Sequence, residues 1–121
     1  MRLAFSLAML FAPVLLLTAA APALAATGQD VFNDKCGDCH TVDPPSGTAP
    51  ALKGVVGRKI ASLPDFQYSD ALKAKSGAWT EAALDAFIAD PKAYAPGTQM
   101  TIGAADPADR KAIIDYLKSA K

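Results

Sequence analysis

The stretch that most constrains this chain is Cys36-Gly37-Asp38-Cys39-His40, because it contains both cysteines and the only histidine. The spacing C-x-x-C-H is typical of covalent attachment of a c-type haem. That chemistry requires two thiols one short turn apart, so that each can add to one haem vinyl group. It also requires an imidazole beside the second thioether that can bind the iron. The motif therefore predicts a chain that folds around a haem.

Two other kinds of site use the same residue types. C-x-x-C also occurs in dithiol redox proteins, and cysteine together with histidine can bind zinc. A disulfide between Cys36 and Cys39 would close almost no chain and would stabilise little, and no βαβ pattern surrounds the motif. Zinc would need a fourth ligand, which no second Cys/His pair in the sequence supplies. Haem attachment is the leading interpretation, and disulfide chemistry and zinc binding remain the alternatives.

The first 25 residues have the pattern of a secretory leader. They contain one charge, Arg2, followed by an apolar run and the A-x-A sequence Ala23-Leu24-Ala25 that signal peptidases recognise. An uncleaved anchor helix is the alternative, because the apolar run approaches the length of a bilayer span. Pro13 and Pro22 interrupt such a helix and favour cleavage. We therefore predict a cleaved signal peptide over residues 1–25 and a mature domain over residues 26–121, with no stable membrane insertion after cleavage.

The charge balance of the chain excludes some kinds of partner. The 12 Lys and Arg residues equal the 12 Asp and Glu residues, and removal of the leader with Arg2 leaves a slight acidic excess. Nucleic acids and anionic membrane surfaces attract proteins with a basic excess. The sequence therefore predicts no nucleic-acid partner, and the length of the mature chain suits one small domain.

Start signals and apolar spacing predict helices throughout the mature chain. A first helix is expected over 28–39, a short turn from Asp70 through Lys75, and later helices after Thr80, Asp90-Pro91 and Asp106-Pro107. The helix after Thr80 places Leu84, Phe87 and Ile88 on one inward face. The helix after Asp106-Pro107 does the same with Ile113, Ile114, Tyr116 and Leu117. We therefore expect an all-α fold.

Met100 is the candidate for a second iron ligand. It is the only methionine outside the leader, and it follows Pro96-Gly97-Thr98-Gln99 between two helices. Most single methionines fill gaps in a core. The turn-rich surroundings favour ligation instead, and a thioether ligand raises the reduction potential of haem iron.

The whole mature chain resembles class I cytochrome c, of the mitochondrial and bacterial cytochrome c2 type. The matching stretches occur in the same order and with most of the same spacing from Gly28 to the end. They are Cys36 to Val42, Pro50-Ala51-Leu52, Gly57-Arg58-Lys59, Phe66 to Ala71, Trp79, Pro91-Lys92 with Tyr94, Pro96 to Met100, and Tyr116-Leu117-Lys118. The resemblance implies a small fold of about four to five helices and loops around one covalently bound haem c.

The resemblance also implies roles for individual residues. His40 and Met100 would be the axial ligands, with the Pro50 carbonyl accepting a hydrogen bond from the His40 ring. The side chains that would donate to the haem propionates are Arg58, Tyr68 and Trp79. The alternatives are core packing for the two aromatic residues and a solvated surface charge for the arginine.

The function implied is that of a one-electron carrier rather than an enzyme. Relatives of this kind shuttle between larger redox proteins, so the expected donor is a cytochrome bc1-type complex and the expected acceptor an oxidase, reductase or reaction centre. The expected state is a monomer in the bacterial periplasm. A haem catalyst or a sensor of small ligands is the alternative, and it would require Met100 to be off the iron.

Overall fold

The computed structural model describes residues 19–22 and 24–121, and the regular elements in this part of the chain are five α-helices. They are α1 (Gly28–Lys35), α2 (Asp70–Lys73), α3 (Glu81–Ala89), α4 (Pro91–Tyr94) and α5 (Pro107–Ser119). An isolated antiparallel bridge joins Lys59 to Ala78. The all-α prediction is confirmed. The leader is predicted over residues 1–25, of which 1–18 and 23 lie outside the described residues, so it stays a prediction.

Within the described ranges, none of the helices has the length and apolar character needed to cross a membrane.

Each of these helices begins after a side chain that caps its N-terminus, namely Thr27, Ser69, Thr80, Asp90 and Asp106. At α1 the cap is reciprocal, because the Thr27 hydroxyl accepts the Asp30 N–H at 3.2 Å while the Asp30 carboxylate accepts the Thr27 N–H at 2.9 Å. At α4 and α5 a proline follows the capping aspartate, where its missing N–H costs nothing. The starts predicted after Thr80, Asp90 and Asp106 are confirmed.

The first helix ends sooner than predicted. It stops at Lys35 rather than at Cys39, and Cys36 is its C-cap. A tight turn follows, in which the carbonyl of Cys36 accepts the His40 N–H at 2.9 Å. Gly37 permits this turn, because a Cβ at that position would lie 2.6 Å from the carbonyl oxygen of Asn33. The motif is therefore presented on a turn rather than on a helix.

The crossing of α1 and α5 forms one side of the core. A Cβ on Gly28 would lie 2.6 Å from the Ala112 carbonyl oxygen and 3.1 Å from the Tyr116 Cβ, so only glycine allows this approach. The rings of Phe32 and Tyr116 are 5.4 Å apart between centroids. The first and last helices are therefore in close contact, and Tyr116 is half-buried rather than fully inward.

The remaining core is apolar and lies between α3, α5 and the long loop that precedes α2. Helix α3 packs on both α4 and α5. The large buried side chains are Phe32, Val55, Ile60, Trp79, Leu84, Phe87, Ile88, Ile113, Ile114 and Leu117. The predicted inward faces of α3 and α5 are thus confirmed, with Tyr116 at the margin.

Candidate haem-binding site

The two cysteines occupy the turn after α1, where both are free thiols. Cys36 is half-buried and Cys39 is exposed. Burial raises the pKa of the Cys36 thiol to about 11, and the neighbouring Cys39 acts in the same direction. Dithiol oxidoreductases depend on a cysteine whose pKa is lowered, so this environment does not suit that chemistry.

The His40 ring is held in one orientation by the backbone of a distant residue. Its Nδ1 lies 2.9 Å from the Pro50 carbonyl oxygen. Because a carbonyl can only accept, Nδ1 carries the proton and Nε2 carries the lone pair. Burial lowers the pKa of His40, and the hydrogen bond to Pro50 opposes this only in part. The imidazole is therefore neutral at pH 7, with Nε2 available as a ligand.

The chain around Pro50 is tied back to the chain that follows His40. The Leu52 N–H donates to the Thr41 carbonyl at 3.0 Å, and the Lys53 N–H donates to the Val42 carbonyl at 2.8 Å. These two backbone hydrogen bonds hold the acceptor for His40 at a fixed place. The contact that was implied by resemblance thus has a local structural cause.

Asp65 holds the same loop from the other side. Its carboxylate accepts the Ser46 N–H at 2.9 Å and the Ser46 hydroxyl at 3.1 Å, while the Ser46 Oγ accepts the Ala51 N–H at 3.0 Å. The hydrogen bonds from Ser46 hold the pKa of the Asp65 carboxyl below its usual range. The sequence analysis did not single out Asp65, since 19 residues separate it from Ser46 and no motif links them.

Met100 lies in the loop between α4 and α5, as the turn-rich sequence predicts. Its side chain is half-buried and packs against the core. Its N–H donates to the Thr98 hydroxyl at 3.3 Å, and Thr98 is itself buried. The preceding turn uses Gly97 at φ +94°, a conformation that favours glycine. The loop therefore presents a soft sulfur ligand at a half-buried position.

Arg58 and Trp79 are adjacent through their backbones. The Trp79 N–H donates to the Arg58 carbonyl at 2.8 Å, next to the Lys59–Ala78 bridge. The Arg58 guanidinium donates to the carbonyls of Ala51 and Lys53, each at 3.1 Å. Arg58 is therefore half-buried and structured rather than a solvated charge, and Ala51 connects it directly to Pro50.

The two aromatic candidates have different surroundings. Trp79 is buried, with its ring 5.1 Å from Phe87 and 6.0 Å from Tyr94 between centroids. The Tyr68 hydroxyl accepts the Leu63 N–H at 3.3 Å, which leaves its own proton free to be donated. Core packing thus describes Trp79 well, while Tyr68 retains a donor.

These residues fit a haem c by the chemistry of their side chains. The two thiols have the attachment spacing, and the imidazole is neutral with an available Nε2. A thioether is half-buried in the loop between α4 and α5 and packs against the core. Contacts connect His40, Pro50, Arg58 and Trp79, and Met100 joins them through the core rather than through a hydrogen bond. No group of three or more His, Cys, Asp or Glu side chains able to hold a metal ion occurs in the described ranges.

Arg110 is a second structured residue that the sequence analysis did not single out. Its side chain is only 11% exposed, and its Nε lies 2.7 Å from the Asp85 carboxylate. Its Nη1 donates to the Ala104 carbonyl at 3.1 Å and to the Ala105 carbonyl at 2.7 Å. One signal was present, because Arg110 falls in the same helical register as Ile113, Ile114 and Leu117, where a charge requires partners.

Comparison with known proteins shows the family of this chain. The family described as Cytochrome c matches residues 25–121. Cytochrome c2 of Rhodomicrobium vannielii is 43% identical over 93 residues, covering 74% of this chain and 74% of that protein. The cytochrome c-type cyt cy of Rhodobacter capsulatus is 41% identical over 96 residues, covering 78% of this chain; the chain spans only 48% of that protein.

A solved structure gives the same result. That of cytochrome cH from Methylobacterium extorquens matches with a TM-score of 0.70 at 40% identity, covering 76% of this chain and 94% of that one. The chain belongs to the cytochrome c family, whose members carry one covalently bound haem c and transfer electrons rather than act as enzymes.

Proposed function

We propose that this chain is a one-electron carrier whose haem iron is bound by His40 and Met100. The observation that carries the proposal is the 2.9 Å contact between His40 Nδ1 and the Pro50 carbonyl, because it fixes the tautomer that leaves Nε2 as the ligand atom. Met100 is the other soft donor of the mature chain apart from the cysteines, which would be consumed in attachment.

Different residues would attach the haem and bind its iron. Cys36 and Cys39 would attach it, and the bound group supplies an iron that changes its charge by one electron. His40 and Met100 would both hold the iron, so a substrate would have to displace one of these residues to reach it. A thioether ligand favours the ferrous state, so Met100 would raise the reduction potential relative to a harder ligand.

Three residues would donate hydrogen bonds to the propionates, and Arg58 would also neutralise their charge. Arg58 has five N–H donors, and its Nη1 and Nη2 each donate to one carbonyl, which leaves further N–H groups available. Tyr68 has a free hydroxyl proton. Trp79 supplies an indole N–H, and its backbone N–H donates to the Arg58 carbonyl. Partly buried carboxylates need such donors, because an unpaired buried charge is costly.

The cellular setting belongs to the same proposal. The predicted leader over residues 1–25 would send the protein to the periplasm, where it would act as a monomer over residues 26–121. There it would carry electrons from a cytochrome bc1-type complex to an oxidase, reductase or reaction centre. The similarity to a protein named cytochrome c2 supports this kind of shuttle.

Carbon monoxide binding to Met100→Ala tests the proposal. The variant should still carry covalent haem, because both cysteines remain, but it should bind carbon monoxide readily and have a lower reduction potential. Ile102→Ala is the matched control, since Ile102 lies two residues further along the same loop and is 68% exposed. Ready binding by the unmodified protein would instead favour the ligand-binding alternative.

A further inference from the structure

The chain that returns from Met100 is held against the end of α3. The Ala104 N–H donates to the Ile88 carbonyl at 2.8 Å. Gly103 packs so closely on that carbonyl and on the Pro91 ring that a Cβ would collide with the carbonyl oxygen. Gly103 and Ala104 therefore form a fixed point only a few residues after Met100.

Arg110 fastens the same point to α5. It donates from one nitrogen to the successive carbonyls of Ala104 and Ala105, and its Nε pairs with Asp85 on α3. A planar guanidinium can serve all three acceptors at once, whereas a lysine ammonium is a single point charge. Arg110 thus joins three parts of the fold: helix α5, helix α3 and the end of the loop over residues 95–106 that carries Met100, here called the methionine loop.

Between these two fixed ends, the loop that carries Met100 makes few other hydrogen bonds. Its first end is held by Ala95, which is fully buried, and by the Thr98 hydroxyl that accepts the Met100 N–H. Thr101 and Ile102, between Met100 and the second end, are exposed. Ala104 is only four residues after Met100. Any movement gained at Ala104 would therefore also let Met100 move.

We propose that Arg110 is a positioning residue for Met100, which keeps the sulfur in place by fastening the loop at Ala104 and Ala105. This inference rests on the proposed ligand role of Met100. It differs from a general stabilising role, because the effect should be confined to the methionine loop. Asp85 acts through Arg110 and holds its guanidinium in the required orientation.

The chain contains a matched control for this proposal. Lys118 and Glu81 form a second ion pair between α5 and α3 at 3.1 Å, and neither side chain bonds to the loop. Loss of that pair removes a contact between the same two helices without freeing Ala104, and because both side chains are about half exposed its effect on stability should be small. A comparison of the two pairs therefore separates loop positioning from helix docking.

The experiment compares Arg110→Lys with Lys118→Met in the haem-loaded protein. Amide hydrogen exchange should rise by about tenfold or more at residues 101–105 in Arg110→Lys, relative to α1. The visible band of the thioether–iron bond should also disappear at a lower denaturant concentration than the helical signal. Lys118→Met should change exchange evenly and lose both signals together.

Asp85→Asn covers the case in which Arg110→Lys does not fold. It keeps the arginine and its carbonyl contacts, so it should show a smaller rise in exchange at the same residues. An even rise across the protein in either variant, with the thioether band retained until unfolding, would overturn the role of Arg110 alone. Absence of the band from the unmodified protein would instead overturn the ligand role of Met100 and, with it, this inference.

Discussion

At the scale of single residues, the chemistry of the motif depends on a few polar contacts made by the loop that faces it. The Pro50 carbonyl fixes the His40 ring, and Ser46 and Asp65 hold the chain on either side of that carbonyl. Ligand orientation through such outer contacts commonly decides how well a metal is bound. The loop is therefore part of the site rather than a connection between helices.

Replacement of Asp65 should make stability depend on pH in a defined window. Its pKa is held low by the Ser46 N–H, so its contribution is complete above the unfolded value of about 4 and is lost as the pH falls through the lower folded value. Asp65→Asn should therefore be less stable than the unmodified protein at pH 5–7, and the difference should shrink below about pH 4. Denaturant unfolding of the haem-loaded proteins at several pH values measures this.

Asp34→Asn is the control for that series, since the pair that Asp34 forms with adjacent Lys35 is exposed and such pairs contribute little. It should leave stability nearly unchanged at every pH. An equal loss from both substitutions, or a constant deficit for Asp65→Asn down to pH 2, would contradict the proposed hold on the loop.

The residues that the sequence could predict are those that belong to a local pattern. Cys36, Cys39 and His40 lie within five residues and form a recognisable motif. Met100 was predicted because it is the only methionine outside the predicted leader. Asp65 and Arg110 could not be found in that way, because their partners lie 19 and 25 residues away. Their contacts depend on how the loops and helices meet in three dimensions.

At the scale of elements, the crossing of α1 and α5 positions the motif at the end of α1. The two helices approach where Gly28 faces Ala112 and Tyr116, and Phe32 packs on the Tyr116 ring. Helix starts were predictable because capping side chains and prolines are local signals. The early end of α1 was not, because it depends on how closely Gly37 approaches Asn33 in the turn.

Gly28→Ala should destabilise the protein by about 1–3 kcal/mol, because the added methyl group would press on the Ala112 carbonyl and force the helices apart. Chemical unfolding of the haem-loaded protein measures the loss. Gly47→Ala is the control, since a Cβ there would meet nothing within 4 Å. Equal stability of the two variants would show that the helix crossing is not tightly packed.

At the scale of the whole molecule, several lysines lie beside an acidic residue. The chain has equal numbers of basic and acidic residues, and Lys35 lies 3.5 Å from Asp34 and 3.9 Å from Asp109. Lys53 and Lys73 likewise have an aspartate at 3.4 Å. Long-range attraction of an acidic partner should therefore be weak.

Association with a redox partner should consequently depend only modestly on salt. Stopped-flow mixing with a purified cytochrome bc1-type complex should show a small decrease in rate between low and physiological ionic strength. The double substitution Asp34→Asn with Asp109→Asn uncovers Lys35 and should steepen that decrease. A steep decrease in the unmodified protein would show that a local lysine patch outweighs the overall charge balance.

Export should leave a mature chain that lacks residues 1–25. Intact-mass analysis of the protein from its native host measures this directly, and the mass should correspond to residues 26–121 with one covalent haem. Recovery from membranes with Met1 still present would show that the leader is retained as an anchor.

The visible spectrum of the oxidised haem-loaded protein tests the central claim most directly. If His40 and Met100 bind the iron, the spectrum should be low-spin at pH 7, with a weak band near the red end that comes from the thioether–iron bond. That band should be absent from Met100→Ala and present in Ile102→Ala. A band that is missing from the unmodified protein, or that survives in Met100→Ala, would contradict ligation by Met100 and the assignment of this chain as an electron carrier with both axial positions filled.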